Sequence, residues 1–407
     1  MIKRLNARNF LSLKEMDLTL GARNVFVGPN MSGKSNFIEC LKFIQEAIAR
    51  QMGGEVAPLY QALSKRGGFS ELVWKGEPRG PISLLLEVEV PGSSDRKPIS
   101  YSYEMSLRLG SYGPAEVEAE RLVMESAGKP EVLLENANGK LKTKASGKTV
   151  EGPQSTTGLM VEHFGRYNPP FQGVEFLEFV ASWRFYHLVP ALIREANPPK
   201  AENSLSEHGE NLSSWLFTLQ TFPEDFARLT QVCCDVLPGL SRILFQPVEP
   251  RPERVIVNQT SSTTESPKIA VGTGESLFRT PIGLGRMSDG ELAFLALCSV
   301  ILAPKELRPS VLCIEEPESH LHPRLVEVLV ELLDQVAAEE GAPQMIATTH
   351  SPLLVDKLKI EELLVVEKKE GATEFTRPST KKHLRELLSR REQSLGDLWY
   401  SGALSDS

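Results

Sequence analysis

Two stretches in the first third of the chain have apolar residues at every second position. The first runs from Ile82 to Val90 and the second from Tyr101 to Leu109, and apart from Leu85 the intervening residues are Ser, Glu and Arg. This period-two pattern is typical of half-buried antiparallel strands. The sequence therefore predicts an antiparallel sheet in this part of the chain.

The first fifty residues combine strand and helix patterns. Residues 2–27 are predicted to form two strands, and the last of their apolar positions, Val25 to Val27, stand directly before Gly28. A long helix is predicted to follow, from about Gly33 to Arg50. A strand, a short loop and a helix thus succeed one another here.

The second half of the chain combines helical spacing of apolar residues with continuous apolar runs. Residues 212–240 have helical spacing broken by two prolines, which predicts a small helical subdomain. From Ser310 onward the order is buried strand, loop, helix, strand and loop, as in parallel α/β sheets. Residues 144–158 and 258–267 are rich in Ser, Thr, Gly and Pro, and we predict a mobile loop for each.

The composition is that of a globular protein with a large core. The 407 residues are 41% hydrophobic and 24% charged, and the net charge of -8 argues against a surface that is basic all over. A net charge for the whole chain does not exclude a local basic groove.

The basic N-terminal segment lacks the apolar run and cleavage site of a secretory signal, and the longest apolar stretch, Leu292 to Ala303, is too short to cross a bilayer. We expect no membrane span and a cytoplasmic location. The five cysteines stand in apolar contexts without CxxC spacing, so buried reduced thiols are favoured over disulfides or zinc ligands. They are Cys40, Cys233, Cys234, Cys298 and Cys313.

The segment GPNMSGKS between the predicted strand and helix matches the complete pattern G-x-x-x-x-G-K-[ST]. In this motif backbone N–H groups surround phosphates, Lys34 neutralises the β and γ oxygens, and the Ser35 hydroxyl can ligate Mg²⁺. The alternative is a glycine-rich turn that only starts a helix. We predict that ATP and Mg²⁺ bind here, with a nucleotide-binding set of Gly28, Pro29, Asn30, Met31, Ser32, Gly33, Lys34, Ser35 and Asn36.

Two adjacent carboxylates end the apolar strand that begins at Val311. Because side chains alternate along a strand, Glu315 and Glu316 cannot do the same job. Glu315 is placed to hold Mg²⁺ directly or through its water shell, and Glu316 to polarise the attacking water. Without the P-loop, a solvated acidic strand end would be the preferred interpretation.

Two further segments are candidates for phosphate contacts. The buried run from Met345 to Thr349 delivers His350 to a sheet edge, where it can contact a γ-phosphate, although a lone histidine is more often structural. Ser288 suits the N-cap of the helix that contains the Leu292 run, so this helix start is a second anion site or an ordinary cap. We predict a catalytic set of Lys34, Glu316 and His350.

The order of P-loop, signature-like cap, double-acid strand and histidine strand resembles the heads of ABC-type ATPases. More closely, the chain resembles the stand-alone RecF- and SMC-like ATPases, often called OLD-type, of bacterial DNA repair and phage defence. The residues that carry this closer resemblance are Arg8-Asn9-Phe10, Gly68 to Leu72, the run EEPESHLHP from Glu315 to Pro323, and Leu395 to Trp399.

The resemblance implies a P-loop NTPase of the ABC-head type, an α/β protein with a mixed sheet. An antiparallel β subdomain and a helical subdomain are inserted between P-loop and signature. Three consecutive parts are expected: an N-terminal lobe with the P-loop at 1–140, an inserted segment at 141–285, and a C-terminal lobe at 286–407 that holds signature, Walker B strand, D-loop and His switch.

The same resemblance implies a homodimer with ATP sandwiched between two heads. Ser288 and Gly290 would then contact the γ-phosphate held by Lys34 of the other protomer, and residues 319–321 would form the D-loop. A Toprim-type nuclease or another effector subunit is a common companion in this family, and DNA is a further expected partner.

Three positions depart from the motifs of relatives. Met31 stands where many have glycine, so the loop must accept a Cβ atom there. Asp289 replaces a signature glycine, and its carboxylate must point away from a γ-phosphate or weaken binding across the dimer. Glu315 stands where transporters usually have aspartate, which lengthens the arm to the metal.

The leading functional hypothesis is a switch enzyme in which ATP closes a head dimer and hydrolysis reopens it. This cycle would license a nucleic-acid transaction or a partner effector. The alternatives are the ATPase subunit of an ABC transporter, whose signature would stand closer to the P-loop, and an SMC-like clamp, whose arms would appear as sustained heptads. A basic run near residues 381–391 is a candidate DNA-docking or partner-docking helix, or a solvated face.

Overall fold

The fold was examined in a computed structural model of the chain. The structure describes residues 1–48, 57–92, 97–110, 115–126, 128–145, 148–167, 171–195, 197, 198, 200–237, 240–248, 268–275, 282–380, 384 and 394–404. This part of the chain forms two compact units. The first unit comprises Met1–Arg184, Pro309–Cys313 and Pro343–Ser407, and the second comprises Phe185–Arg308 and Ile314–Ala342.

Seventeen strands lie in the described part of the chain. They are β1 (Ile2–Phe10), β2 (Leu13–Thr19), β3 (Arg23–Val27), β4 (Ile82–Val90), β5 (Ile99–Leu109), β6 (Ala115–Ser126), β7 (Lys129–Ala137), β8 (Lys140–Ala145), β9 (Lys148–Pro153), β10 (Arg184–Tyr186), β11 (Leu240–Val248), β12 (Lys268–Glu275), β13 (Ile282–Gly283), β14 (Val311–Glu315), β15 (Gln344–Thr349), β16 (Leu363–Lys369) and β17 (Ala372–Thr376).

Twelve α-helices are found in the same residues. They are α1 (Lys34–Ile48), α2 (Pro58–Ser64), α3 (Phe69–Leu72), α4 (Met160–Tyr167), α5 (Val174–Ala181), α6 (Pro190–Ile193), α7 (Leu212–Leu219), α8 (Pro223–Val236), α9 (Asp289–Ile301), α10 (Pro323–Ala337), α11 (Pro352–Asp356) and α12 (Leu395–Tyr400).

An antiparallel sheet of eight strands dominates the first unit, in the order β2-β1-β4-β5-β6-β7-β8-β9. The predicted strands β4 and β5 pair antiparallel, and every second residue of β4 is buried, as its alternating sequence predicted. Helix α5 packs on the buried face, where the ring of Phe176 lies 5.8 Å from that of Tyr101 and 5.4 Å from that of Tyr103. Aromatic pairs at this spacing add to the stability that burial provides.

The first unit also holds the parallel strands that carry the P-loop. Strand β3 lies between β15 and β16 and is parallel to both, while β17 pairs antiparallel with β16. All six residues of β15 and four of the five in β3 are buried, as expected for a parallel sheet covered on both faces. The carboxyl ends of β3 and β15 therefore open at one edge.

The second unit contains the predicted helical subdomain. Helix α7 ends at Leu219 and α8 begins at Pro223. Helix α9 is buried along almost its whole length. The indole Nε1 of Trp215 donates to Ser299 Oγ at 3.2 Å, so the polar group of a buried Trp on α7 is satisfied by α9. Strands β11, β12 and β13 form a small antiparallel sheet in the same unit.

Two local predictions were wrong. Residues 2–27 form three strands, because the chain turns back after Phe10 and again after Thr19. The loop predicted at 144–158 is wrong over Lys148–Pro153, because β9 pairs with β8 and extends the antiparallel sheet. The second predicted loop, 258–267, and the basic run near 381–391 lie outside the described residues, apart from position 384.

The cysteines and the apolar helices were the subject of two further predictions. Four cysteines are buried and Cys234 is half-buried. In the ranges that the structure describes, no helix is both long and apolar enough to span a bilayer.

Glu120 on β6 is a fully buried carboxylate that caps α4. It accepts hydrogen bonds from the amides of Met160 (2.6 Å) and Val161 (3.0 Å) and from the hydroxyl of Tyr103 (3.0 Å). Burial raises the pKa of Glu120 from 4.5 to about 7, although these three donors oppose the shift. The folded state therefore holds this proton more tightly than the unfolded state does.

Because the folded pKa is raised, the stability that Glu120 contributes is complete below pH 4.5 and is lost as the pH rises to about 7. This loss amounts to up to about 3 kcal/mol. We expect Glu120→Gln to flatten the fall of the urea unfolding midpoint between about pH 5 and pH 8. Glu118→Gln, at an exposed position of the same strand, is the control. Equal slopes in all three proteins would contradict the assignment.

Candidate functional site

The P-loop connects β3 to α1, as the motif predicted. Gly33 lies at φ +108°, a left-handed conformation that favours glycine. Lys34, the first residue of α1, is 6% exposed, and its Nζ donates to the carbonyl oxygens of Gly28 (2.7 Å) and Pro29 (3.0 Å). The ammonium group thus lies across the loop that would surround the phosphates.

Side chains from β17 and the β1–β2 turn support this loop from behind. The Thr373 hydroxyl donates to the carbonyl oxygen of Ser32 at 2.9 Å and lies 2.6 Å from Ser12 Oγ. Asn36 Nδ2 donates to Ser12 Oγ at 2.6 Å, which joins the first turn of α1 to the same network. A Cβ atom at Gly33 would overlap Thr373 Oγ1, so this glycine is required by space as well as by backbone conformation.

Sequence reasoning missed Ser12 and Thr373, although both contribute to the P-loop geometry. Their short polar side chains stand in a turn and in a strand, where no motif marks them. Only their contacts with the loop reveal a role. Two predicted members, Asn36 and Ser32, take part in this same network.

The start of the loop is equally constrained. A Cβ atom at Gly28 would overlap the carbonyl oxygen of Val366 on β16. Ser32 Oγ is buried and has no hydrogen-bond partner, although buried hydroxyls are nearly always paired. An unsatisfied hydroxyl beside a lysine and a helix N-terminus fits a site that receives an anionic oxygen.

Met31 occupies the loop position where many relatives have glycine. It adopts φ +64° and its side chain is 86% exposed. The loop therefore keeps a left-handed backbone and accepts the Cβ atom by pointing the side chain into solvent, at a cost of about 1 kcal/mol in backbone strain.

His350 lies at the same sheet edge as the P-loop. The parallel register of β15 with β3 places Thr349 opposite Val27, so His350 and Gly28 each follow directly after paired residues. The side chain of Ser351 accepts from the Leu354 amide and caps α11. The predicted His strand therefore reaches the edge where the loop begins.

In the second unit, the two adjacent acids lie at the carboxyl end of β14. Glu315 is the last residue of β14, and Glu316 leaves the strand with φ +46°, a strained conformation for a side chain of this size. Ser319 holds the turn, since its amide donates to the Glu316 carbonyl (2.9 Å) and its hydroxyl to Glu316 Oε2 (3.2 Å). Both carboxylates line a cavity of about 480 Å³, together with Asp289 and His320.

The signature segment begins α9 with a capping box. Ser288 Oγ accepts from the Glu291 amide at 3.3 Å, and Glu291 Oε2 accepts from the Ser288 amide (2.7 Å) and hydroxyl (2.9 Å). A Cβ atom at Gly290 would lie 2.8 Å from the carbonyl oxygen of His320, so the D-loop approaches this glycine too closely for a side chain. The predicted N-cap role of Ser288 is confirmed.

Asp289, the second departure, is paired within its own chain. Its carboxylate accepts a charge-assisted hydrogen bond from Arg194 Nη2. Arg194 also donates to the carbonyl oxygens of Gly285 (3.2 Å) and Met287 (2.5 Å). Sequence reasoning missed Arg194, because no motif surrounds it and its partners stand more than 90 positions away.

The predicted site residues fall into two groups. The first unit contains the P-loop, Ser35, Asn36 and His350. The second unit contains Glu315, Glu316, Ser288 and Gly290. In the part of the chain that the structure describes, no cluster of three or more His, Cys, Asp or Glu side chains could bind a metal ion alone. Mg²⁺ bound through one or two side chains and substrate phosphates needs no such cluster, so Ser35 and Glu315 are chemically suited to it.

Solved structures of SMC head domains are similar to this chain. The crystal structure of an SMC head bound to the C-winged helix domain of ScpA is 14% identical, with a TM-score of 0.52, over 92% of this chain and 97% of that one. The SMC head domain from Thermotoga maritima is 16% identical with a TM-score of 0.44, over 92% of this chain and 98% of that one. The Smc head from Pyrococcus furiosus, bound to the C-terminal domain of ScpA, is 13% identical with a TM-score of 0.49, over 96% of this chain and 99% of that one.

At such identities a structural likeness establishes the fold and leaves the activity to other observations. The family model described as "AAA domain, putative AbiEii toxin, Type IV TA system" matches residues 23–356, which include the P-loop, the signature, both acids and His350. The chain therefore belongs to this family of AAA-type ATPases, and its fold is the ABC-type ATPase head of the RecF- and SMC-like proteins.

Proposed function

We propose that this protein binds and hydrolyses Mg-ATP between two copies of itself, and that the resulting cycle of dimer closure and opening controls a nucleic-acid process or a partner effector. The observation that carries the proposal is the presence of two distinct helix starts suited to phosphate. One is the N-terminus of α1, which directly follows the P-loop, and the other is the N-terminus of α9, which Ser288 caps.

Binding is assigned to the first of these. Lys34 exchanges its contacts with the carbonyls of Gly28 and Pro29 for the β and γ oxygens, and the amides of the loop enclose the phosphates. Ser35 and Glu315 are the residues that would hold Mg²⁺. Bound there, Mg²⁺ would supply positive charge that offsets the negative charge developing on the transferred phosphoryl group.

Hydrolysis is assigned to Glu316, whose carboxylate borders the cavity in the second unit. A carboxylate there accepts a proton from water as the water attacks the γ-phosphate. Its strained backbone and its contact with Ser319 fix the carboxylate in one orientation. His350, next to the start of the P-loop in the sheet register, is proposed to contact the γ-phosphate.

The output of the cycle is proposed from the family. DNA repair or defence against phage is the setting of the relatives that this chain resembles, and a nuclease or toxin subunit is the corresponding effector. The SMC heads in two of the matching structures are bound to ScpA domains, which is consistent with a head that engages a second protein.

Lys34→Ala is expected to abolish ATP binding, because it removes the positive charge that faces the β and γ phosphates. The measurement is isothermal titration calorimetry, with thermal unfolding to verify the fold. Lys42→Ala is the matched control, since it removes the same side chain about 12 Å further along α1. An unchanged ATP affinity in Lys34→Ala would refute the P-loop assignment.

Glu316→Gln is expected to bind ATP normally and to lose hydrolysis by about a hundredfold or more, because the amide keeps the shape but accepts no proton. Phosphate release under single-turnover conditions measures this loss. Glu331→Gln, at an exposed position of α10, is the control. If Glu316→Gln releases phosphate at the parent rate, the general base is another residue.

A mixture of two inactive variants tests whether the site is shared. Lys34→Ala empties the P-loop, and Ser288→Arg fills the anion site at the start of α9. A heterodimer of the two keeps one site with an intact P-loop facing an intact signature, so hydrolysis is expected to appear on mixing and to peak near equal amounts.

Two controls accompany this experiment. Ser394→Arg removes the Ser of the capping box of α12, and so tests whether loss of a cap alone stops hydrolysis. Native mass spectrometry verifies that heterodimers form. Heterodimers without activity would contradict a site in which one filled nucleotide closes the pair.

A further inference from the structure

Asp289 places a negative charge at the helix start that is proposed to receive a phosphate. The neighbouring acid, Glu291, is already engaged by the capping box, where it binds the amide and hydroxyl of Ser288. Asp289 is not part of that box, and its side chain is 54% exposed. Its carboxylate is therefore the charge in this turn that a phosphate arriving from solvent would meet.

The cost of this charge would be large if it stood alone. At an effective dielectric constant of about 20, two like charges about 5 Å apart repel each other enough to change an affinity about a hundredfold. The amides of the first helical turn attract a phosphate, but the dipole contributes less than this repulsion removes. A phosphate site at Ser288 and Gly290 thus requires a countercharge.

Arg194 supplies that countercharge in a fixed position. It follows the last residue of α6, in which Pro190 and Ile193 are buried, and its own side chain is only 29% exposed. Its guanidinium binds the Asp289 carboxylate and the carbonyls of Gly285 and Met287 at once. One side chain thereby holds the backbone that leads into α9 and neutralises the carboxylate beside it.

We propose that Arg194 is a positioning residue of the shared nucleotide site, which neutralises Asp289 and so permits Ser288 and Gly290 to receive the γ-phosphate held by Lys34 of the partner subunit. This role rests on the proposed function. It explains how a chain with aspartate at a signature glycine position keeps a usable signature. Arg194 itself touches neither substrate nor metal in this role.

A purely structural role makes a different prediction. If Arg194 serves only as a hydrogen-bond donor to the carbonyls of Gly285 and Met287, its loss should weaken the ATP-dependent dimer equally whether or not residue 289 is charged. If it acts by neutralising Asp289, removing the carboxylate should make Arg194 dispensable. The two roles are separated by a double-mutant cycle.

The cycle is measured in the Glu316→Gln background, where ATP binds without turnover, by analytical ultracentrifugation of the ATP-dependent dimer. Arg194→Gln keeps two N–H donors for the carbonyls and removes the charge. We expect it to weaken the dimer about tenfold or more when Asp289 is present. In an Asp289→Asn background the same change is expected to cost less than about threefold.

The control cycle uses Arg228 and Glu339, an ion pair at 2.8 Å elsewhere in the second unit. Arg228→Gln should leave the dimer affinity unchanged with or without Glu339→Gln. Thermal unfolding and binding of a fluorescent ATP analogue verify that each Arg194 variant folds and fills its P-loop.

Each outcome decides the matter. Equal losses in the two Asp289 backgrounds, or no loss in either, would overturn the role of Arg194 while leaving the shared site intact. If the Glu316→Gln parent stays monomeric in ATP, the shared site fails and the role of Arg194 fails with it.

Discussion

Strands β16 and β17 pack so closely against the P-loop that two of its positions have no room for a side chain. The carbonyl oxygen of Val366 excludes a Cβ atom at Gly28, and the hydroxyl of Thr373 excludes one at Gly33. This close packing determines where the loop amides lie. Ser12 and Asn36 extend the same contact to the β1–β2 turn and to α1. The nucleotide site therefore depends on strands that enter the fold at both ends of the sequence.

This dependence explains which features the sequence could predict. Strand β4 and helix α9 were identifiable because their periodicity or apolar run reflects burial within a single element. Thr373 was not, because its partner Ser32 stands 341 positions away and no local pattern records the contact. Arg194 escaped notice for the same reason.

Errors in the fold prediction have an equally local cause. Strands β8 and β9 contain four Lys and two Thr among twelve residues, a polar composition that also characterises loops, because an edge hairpin has little apolar surface to bury. The two compact units are also interleaved along the chain. The chain leaves the first unit after Arg184 and returns for Pro309–Cys313 and Pro343–Ser407, so neither unit is one continuous segment.

The two helix starts differ in charge, and this difference bears on the order of events. The first turn of α1 contains Lys34 and no acidic residue, whereas the first turn of α9 contains Asp289 and Glu291. Free nucleotide should therefore bind at the P-loop, since a cation and an uncompensated helix terminus attract phosphate there. At α9 the capping box already satisfies the Ser288 amide, and Asp289 is paired with Arg194. Within the proposed shared site, such a helix start would attract a phosphate in solution only weakly, and it would act on a phosphate that the other subunit already holds. Under the proposed function, closure of the dimer would therefore follow nucleotide binding.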